Sequence, residues 1–140
     1  NRAFFELLHE RMANRVALVM CERAGRWIAG ALNLIGDDTL FGRNWGCLED
    51  HDCLHFEACY YQAIDFAIAR GLDWVEAGAQ GPHKIHRGYL PRRTYSAHWI
   101  ADPALRKAIA DYLEREREQV DWEIAQVGRE YSPYRKNEEL

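Results

Sequence analysis

The sequence predicts an α+β fold of mixed α/β layers, in which helices flank a mostly antiparallel sheet. Three observations carry this expectation. Three apolar runs separated by short turns, VALVMCE, WIAGALNLI and LFGRNWGCL, read as an antiparallel meander. A segment of helical periodicity follows them, and then a strand, a loop, a second strand and a long helix complete the order. With 140 residues, 48% of them hydrophobic, and five Trp, seven Tyr and five Phe, the chain suits a single packed domain over 1–140.

Each element has its local reason. From Ala3 to Met12, Phe4, Leu7, Leu8 and Met12 recur at helical spacing, so an amphipathic helix is expected to end near Asn14. A buried strand begins at Val16, and Ala24-Gly25 turns the chain into a strand from Trp27 to Ile35. Asp37-Asp38 turns it again into Leu40 to Leu48. Leu54 to Arg70 carries Leu54, Ala58, Tyr61, Ile64 and Ile68 on one helical face, with Gly71 as its C-terminal stop. A strand is expected from Asp73 to Gly78 and another around TYSAHWI, Thr94 to Ile100. Asp102-Pro103 is a good N-cap with Pro at the first helical position, and the periodicity runs on to about Gly128. Its charged middle, EREREQ, reads as a solvated face with i,i+4 pairs, and the helix offers a surface for homo-oligomer formation.

The formal net charge is −4, which argues against a general nucleic-acid coat and still allows one local basic site. No apolar run approaches the ~20 residues needed to cross a bilayer, so no membrane insertion and a cytoplasmic home are expected. Cys21, Cys47, Cys53 and Cys59 read as reduced thiols. Cys47, His51, Cys53, His55 and Cys59 are too irregularly spaced for a zinc site, and no metal is expected. A nucleophile elbow, a P-loop and a dinucleotide fingerprint are all lacking, which leaves direct attack by an acceptor as the simplest chemistry.

The basic stretch VEAGAQGPHKIHRGYLP is the main chemical signal. His83, Lys84, His86 and Arg87 follow Gly78 and Gly81, and no acid falls between Glu76 and Asp102. Glycines let a backbone approach a ligand, Arg87 can fork onto a phosphate, and Lys84 adds a point charge. Gly78, Gln80, Gly81, His83, Lys84 and Arg87 are therefore the candidate anion-binding residues. Glu76 sits within a strand, either on a solvent-facing edge or partnered in a cleft, where it could serve as a base. His98 is the competing base. Glu57 and Tyr61, four residues apart on the helix, are a carboxylate and a phenol that could converge on one substrate.

The element order, with RVALVMCERAGRWIAGALNLIGDDTLFGRNWGCLE, HFEACYYQAIDFAIARG and WVEAGAQGPHKIHRGYLPRRTYSAHWIADPALRKAI, resembles the FemAB-like N-acyltransferases of the peptidoglycan biosynthesis/recognition type, a branch of the GNAT fold. The resemblance covers nearly the whole chain and is most specific in EAGAQGPHKIHRGYLP and TYSAHWI. It matches the C-terminal part of such proteins, so the first strand of the GNAT-like fold is expected to lie in chain before Asn1.

The resemblance implies transfer of an acyl or aminoacyl group from an activated, phosphate-bearing donor to an amine. The co-substrate would be acyl-CoA or aminoacyl-tRNA, with no tightly bound cofactor, and the acceptor a small-molecule or cell-wall-precursor amine. It also places the donor in a split between the strands Leu40 to Leu48 and Asp73 to Gly78. The glycine-rich phosphate loop of acetyl-CoA-binding members is replaced here by LEDHDCLHFE, which favours aminoacyl-tRNA or an acyl donor held by another surface. A non-catalytic GNAT-like module binding a cell-wall precursor or a protein partner is the alternative.

Overall fold

A computed structural model of the chain describes residues 1–78 and 81–134. Two compact units are described in turn, Asn1–Gln80 and Gly81–Leu140.

The first unit opens with α1 (Arg2–Met12), whose N-cap Asn1 accepts a hydrogen bond from the Phe4 amide at 3.0 Å. The sheet follows as β1 (Val16–Arg23), β2 (Arg26–Ile35), β3 (Thr39–Cys47) and β4 (Trp74–Glu76), in the spatial order β1-β2-β3-β4. β1 and β2 are joined by Ala24 and Gly25, both at positive φ (50° and 77°), the geometry that matches the right-handed twist of a two-residue hairpin. β2 pairs antiparallel with β3, as the meander reading expects. β3 then pairs parallel with β4 through Thr39–Trp74, Leu40–Val75 and Phe41–Glu76, so the sheet is mixed.

A parallel neighbour needs a crossover connection, and a helical stretch supplies it. It runs as α2 (Leu54–Phe56), a π-helical segment (Glu57–Tyr61) and α3 (Gln62–Arg70). Gly71, at φ 66°, ends it: its amide donates to Ile68 O at 3.2 Å and that of Leu72 to Ala67 O at 2.9 Å, a Schellman closure. α3 buries Ala63 and Ala67. The core centres on Ala17, Leu40 and Ala63, with Ile35, Phe66, Leu72 and Val75 packed against them.

The second unit holds a 3-10 helix (Pro82–Arg87) where a glycine-punctuated loop is expected from the sequence. Gly88, at φ 89°, closes this helix, and the Tyr134 hydroxyl donates to its carbonyl at 3.0 Å. The segment expected to be a strand, Thr94 to Ile100, forms none. Tyr95 and Trp99 are each 84% exposed, and no described strand lies against it to take its backbone hydrogen bonds. α4 (Pro103–Glu130) then runs 28 residues, about 42 Å. Asp102 caps it by accepting from the Leu105 amide at 2.7 Å, and Arg93 pairs with Asp121 on its side. No helix among the described residues is long and apolar enough to cross a membrane.

Candidate functional site

The parallel pairing of β3 with β4 stops at Phe41–Glu76. Immediately beyond it β3 bulges. Leu32 of β2 pairs with Asn44 and Asn33 with Gly42, which leaves Arg43 as the extra residue on β3. A bulge of this kind bends its strand and re-aims its side chains. Gly42 faces the end of β4 so closely that a Cβ there would lie 3.2 Å from Glu76 O and 3.8 Å from Ala77 Cα. The glycine thus lets the two strands approach at the point where they part.

A cavity of about 130 Å³ occupies this position. Ala31 to Asn33 of β2 and Gly42 to Trp45 of β3 line it, with His55, Cys59 and Tyr60 from the crossover and Ala77 after β4. Its volume is close to the roughly 150 Å³ of a cavity that admits benzene. It suits a group of a few heavy atoms and is far too small for a long chain.

The helical wall of the cavity is irregular. Cys53, before α2, sits at φ 65°, in the left-handed region that non-glycine residues rarely adopt. The π-helical segment that follows contributes Cys59 and Tyr60 to the lining, and such wide turns recur at functional sites. Aromatic rings surround His55: Trp45 at 5.4 Å, Tyr60 at 5.4 Å and Phe56 at 5.6 Å between centroids, all edge to face. This packing fixes the imidazole at the cavity wall. Burial and the neighbouring Cys21 push the Cys59 thiol up to about 11, so Cys59 is a neutral wall residue rather than a nucleophile.

One polar group of the lining is fully buried. Asn33 is 2% exposed, and its Nδ2 has no hydrogen-bond partner. A donor so placed costs about 1–3 kcal/mol of folding free energy unless something accepts from it. On β3, Arg43 is exposed and makes no ion pair among the described residues.

The acids of LEDHDC lie between β3 and α2. Glu49 accepts from Arg23 at 3.0 Å and meets His51 Nε2 at 3.1 Å. These hydrogen bonds, that from His51 foremost, hold its carboxyl below the usual carboxylate range. Among the described residues no group of three His, Cys, Asp or Glu is arranged to hold a metal ion.

The candidates taken from the sequence fall in several places. Glu76 ends β4 and is exposed, which agrees with the edge placement and not with a carboxylate enclosed in a cleft. Glu57 and Tyr61 are both exposed on the π-helical segment, and Glu57 accepts from Gln62, five residues on, at 2.8 Å.

His98 lies in the second unit, exposed, with Nε2 3.0 Å from Ser96 Oγ. Gly78 takes φ 74° and Gly81 φ 107°, both conformations that favour glycine. Gln80 falls outside the described residues. Within the 3-10 helix, Arg87 Nη1 donates to His83 O at 3.0 Å, His83 is exposed, and burial pulls the half-buried Lys84 ammonium below its ordinary value.

Asn33 and Arg43 are functional candidates that the motif reading passes over. For Asn33 a signal was present: Ala29, Ala31 and Asn33 alternate on the buried face of WIAGALNLI, so a polar residue stands at an inward position of an apolar strand. Arg43 depended on the bulge, which no residue pattern announces.

A family model described as FemAB-like, peptidoglycan biosynthesis/recognition, matches residues 1–136. No curated protein and no solved structure matches the chain.

Proposed function

The chain belongs to the FemAB-like family of peptidoglycan biosynthesis or recognition, and on that footing we propose that it is an N-acyltransferase domain acting on an amine of a peptidoglycan precursor. The observation that carries the proposal is the small cavity where β3 and β4 part, lined by Asn33, His55 and Tyr60. A GNAT-like acyltransferase would seat the reacting end of its donor in such a split. A volume of about 130 Å³ favours a short acyl or aminoacyl group.

In the proposed reaction the acceptor nitrogen attacks the donor's carbonyl carbon. The C–N bond forms, and the C–O bond of an aminoacyl ester or the C–S bond of a thioester breaks. The proton lost by the nitrogen passes to a base and then to the leaving alkoxide or thiolate. His55 suits that relay because it lines the cavity and aromatic contacts hold its ring. Glu76 and His98 are the bases that the sequence suggests, and the exposure of Glu76 favours His55 over it. Arg43 is the cation suited to a donor phosphate in the first unit, and Lys84 and Arg87 are those of the second.

The test is consumption of aminoacyl-tRNA or release of free thiol from acyl-CoA across a panel of precursor amines. His55→Gln is expected to lower turnover by about 10²-fold or more. Glu76→Gln is expected to stay within a few-fold of the parent. Calorimetric donor binding by Arg43→Ala and by the Lys84→Ala/Arg87→Ala pair separates the two phosphate assignments. Binding of a precursor without turnover of either donor would support a recognition module instead.

A further inference from the structure

We infer that Asn33 is a ligand-binding residue whose side-chain amide donates a hydrogen bond to the carbonyl oxygen of the group seated in the β3–β4 cavity. Three independent features meet at this side chain. Asn33 lines the cavity yet is only 2% exposed. Its Nδ2 has no partner. Its cross-strand neighbour is Gly42, where a Cβ would stand 3.7 Å from Asn33 Oδ1. A side chain there would press on Glu76 O and meet the oxygen end of the amide, and glycine keeps that contact off.

A buried amide with nothing to bond destabilises the fold, and Leu or Val would pack the same inward position of β2 without that cost. The arrangement is accounted for if the missing acceptor arrives with the ligand. A compact acceptor, uncharged or only partly charged, suits the buried amide, because the other lining side chains are apolar or neutral except Arg43, and Arg43 is exposed to solvent. An amide, ester or thioester carbonyl meets those conditions. A carboxylate suits the amide less well, since at that buried group its full charge would meet a neutral donor, while the charged lining residue, Arg43, is exposed. The bulge at Arg43 lies beside the same residue, because the β2–β3 register shifts between Leu32 and Asn33.

Naming the carbonyl as that of the transferred acyl group rests on the proposed acyl transfer; the hydrogen-bonding role of Asn33 does not. The experiment uses the whole chain, ¹⁵N-labelled, titrated with N-acetylalanine methylamide as carbonyl probe and with N-methylpropylamine as a carbonyl-free control. The Asn33 side-chain NH2 pair, assigned by its loss in Asn33→Leu, is expected to move downfield saturably with the first probe and not with the second. Asn33→Leu is expected to weaken binding of the first probe about tenfold while raising Tm by about 4 °C, because an unpartnered polar group is removed. Gly42→Ala, which adds a methyl beside the amide, is expected to weaken binding with no gain in Tm.

An NH2 pair unmoved at the highest soluble probe concentration overturns the inference. So does an Asn33→Leu variant that binds the probe as well as the parent, or one that melts lower, which would show that the amide is already satisfied within the fold. Turnover retained by Asn33→Leu would overturn this inference and leave acyl transfer standing. A responding NH2 pair in a chain without turnover would do the reverse.

Discussion

Leu40 decides whether the first unit can hold the β3–β4 split in place. It is fully buried at 0% exposure, pairs with Val75 in the middle of the three-residue parallel ladder, and packs with Ala17 and Ala63. Leu40→Ala removes the equivalent of three buried carbons, about 2 kcal/mol at ~0.8 kcal/mol per methylene. If the surrounding Ile35, Phe66, Leu72 and Val75 collapse only in part, a residual cavity of about 50 Å³ adds about 1 kcal/mol at 24 cal/mol per Å³. The expected loss is therefore about 3 kcal/mol.

A unit of this size has about 4–12 kcal/mol in all, so the loss is a large share of its stability. Urea unfolding followed by tryptophan fluorescence should show the midpoint falling by about 2 to 3 M for an m-value near 1 kcal/mol per M. Leu40→Met, which nearly conserves volume, should cost less than about 1.5 kcal/mol. If Leu40→Ala cost less than about 1 kcal/mol, or if Leu40→Met cost as much as Leu40→Ala, the core assignment would be wrong. The parallel ladder would then need some other anchor.

Four further outcomes are expected. Cys59, with its thiol held up to about 11 against an ordinary 9.0, keeps its proton longer in the folded state than in the unfolded one. Stability from this group is full below pH 9 and lost between pH 9 and about 11, by about 2 kcal/mol, so Cys59→Ala should flatten the alkaline fall seen in unfolding curves. For the same reason a limiting maleimide should label the exposed Cys47 and Cys53 well before Cys59, by peptide mass mapping. Cys53→Gly relieves a left-handed conformation and should stabilise the chain by up to about 1 kcal/mol; a loss of stability would argue that the Cys53 side chain holds the start of the crossover. Gly88→Ala should unseat Tyr134, whose hydroxyl lies 2.5 Å from the added Cβ, and should lower Tm; an unchanged melt would leave that tyrosine without a structural role.

The regular elements were legible because their causes are local. Alternation and turn chemistry locate β1, β2 and β3 within a residue or two, and Asp102-Pro103 and Gly71 mark helix ends that the structure keeps. TYSAHWI failed for a non-local reason. Its aromatics have strand propensity, but a strand exists only where a neighbour takes its hydrogen bonds, and the sequence does not say that none does. The site was harder still. Glu76 attracted attention as a carboxylate inside a strand, yet β4 is three residues long and carries it facing outward at its end. The basic stretch was legible as charge and hidden as structure, since the glycines that suggest a loop instead flank a short 3-10 helix.

The departures from regular structure in the first unit are not scattered. The bulge leaves Arg43 unpaired on β3, the π-helical segment widens the crossover at Cys59 and Tyr60, and both contribute lining to the same cavity. The unpartnered amide of Asn33 lies in its lining. Each of these alone would lower stability, and a sequence shaped for folding only would have closed the bulge, regularised the helix and placed Leu at position 33. Their coincidence at the point where β3 and β4 separate is better explained by what must enter there than by any requirement of the fold. On the proposed acyl transfer, the chemistry falls to Asn33 and His55 within the first unit. The donor-binding role proposed for Lys84 and Arg87, the most conspicuous charges in the sequence, belongs to the second unit and is tested separately.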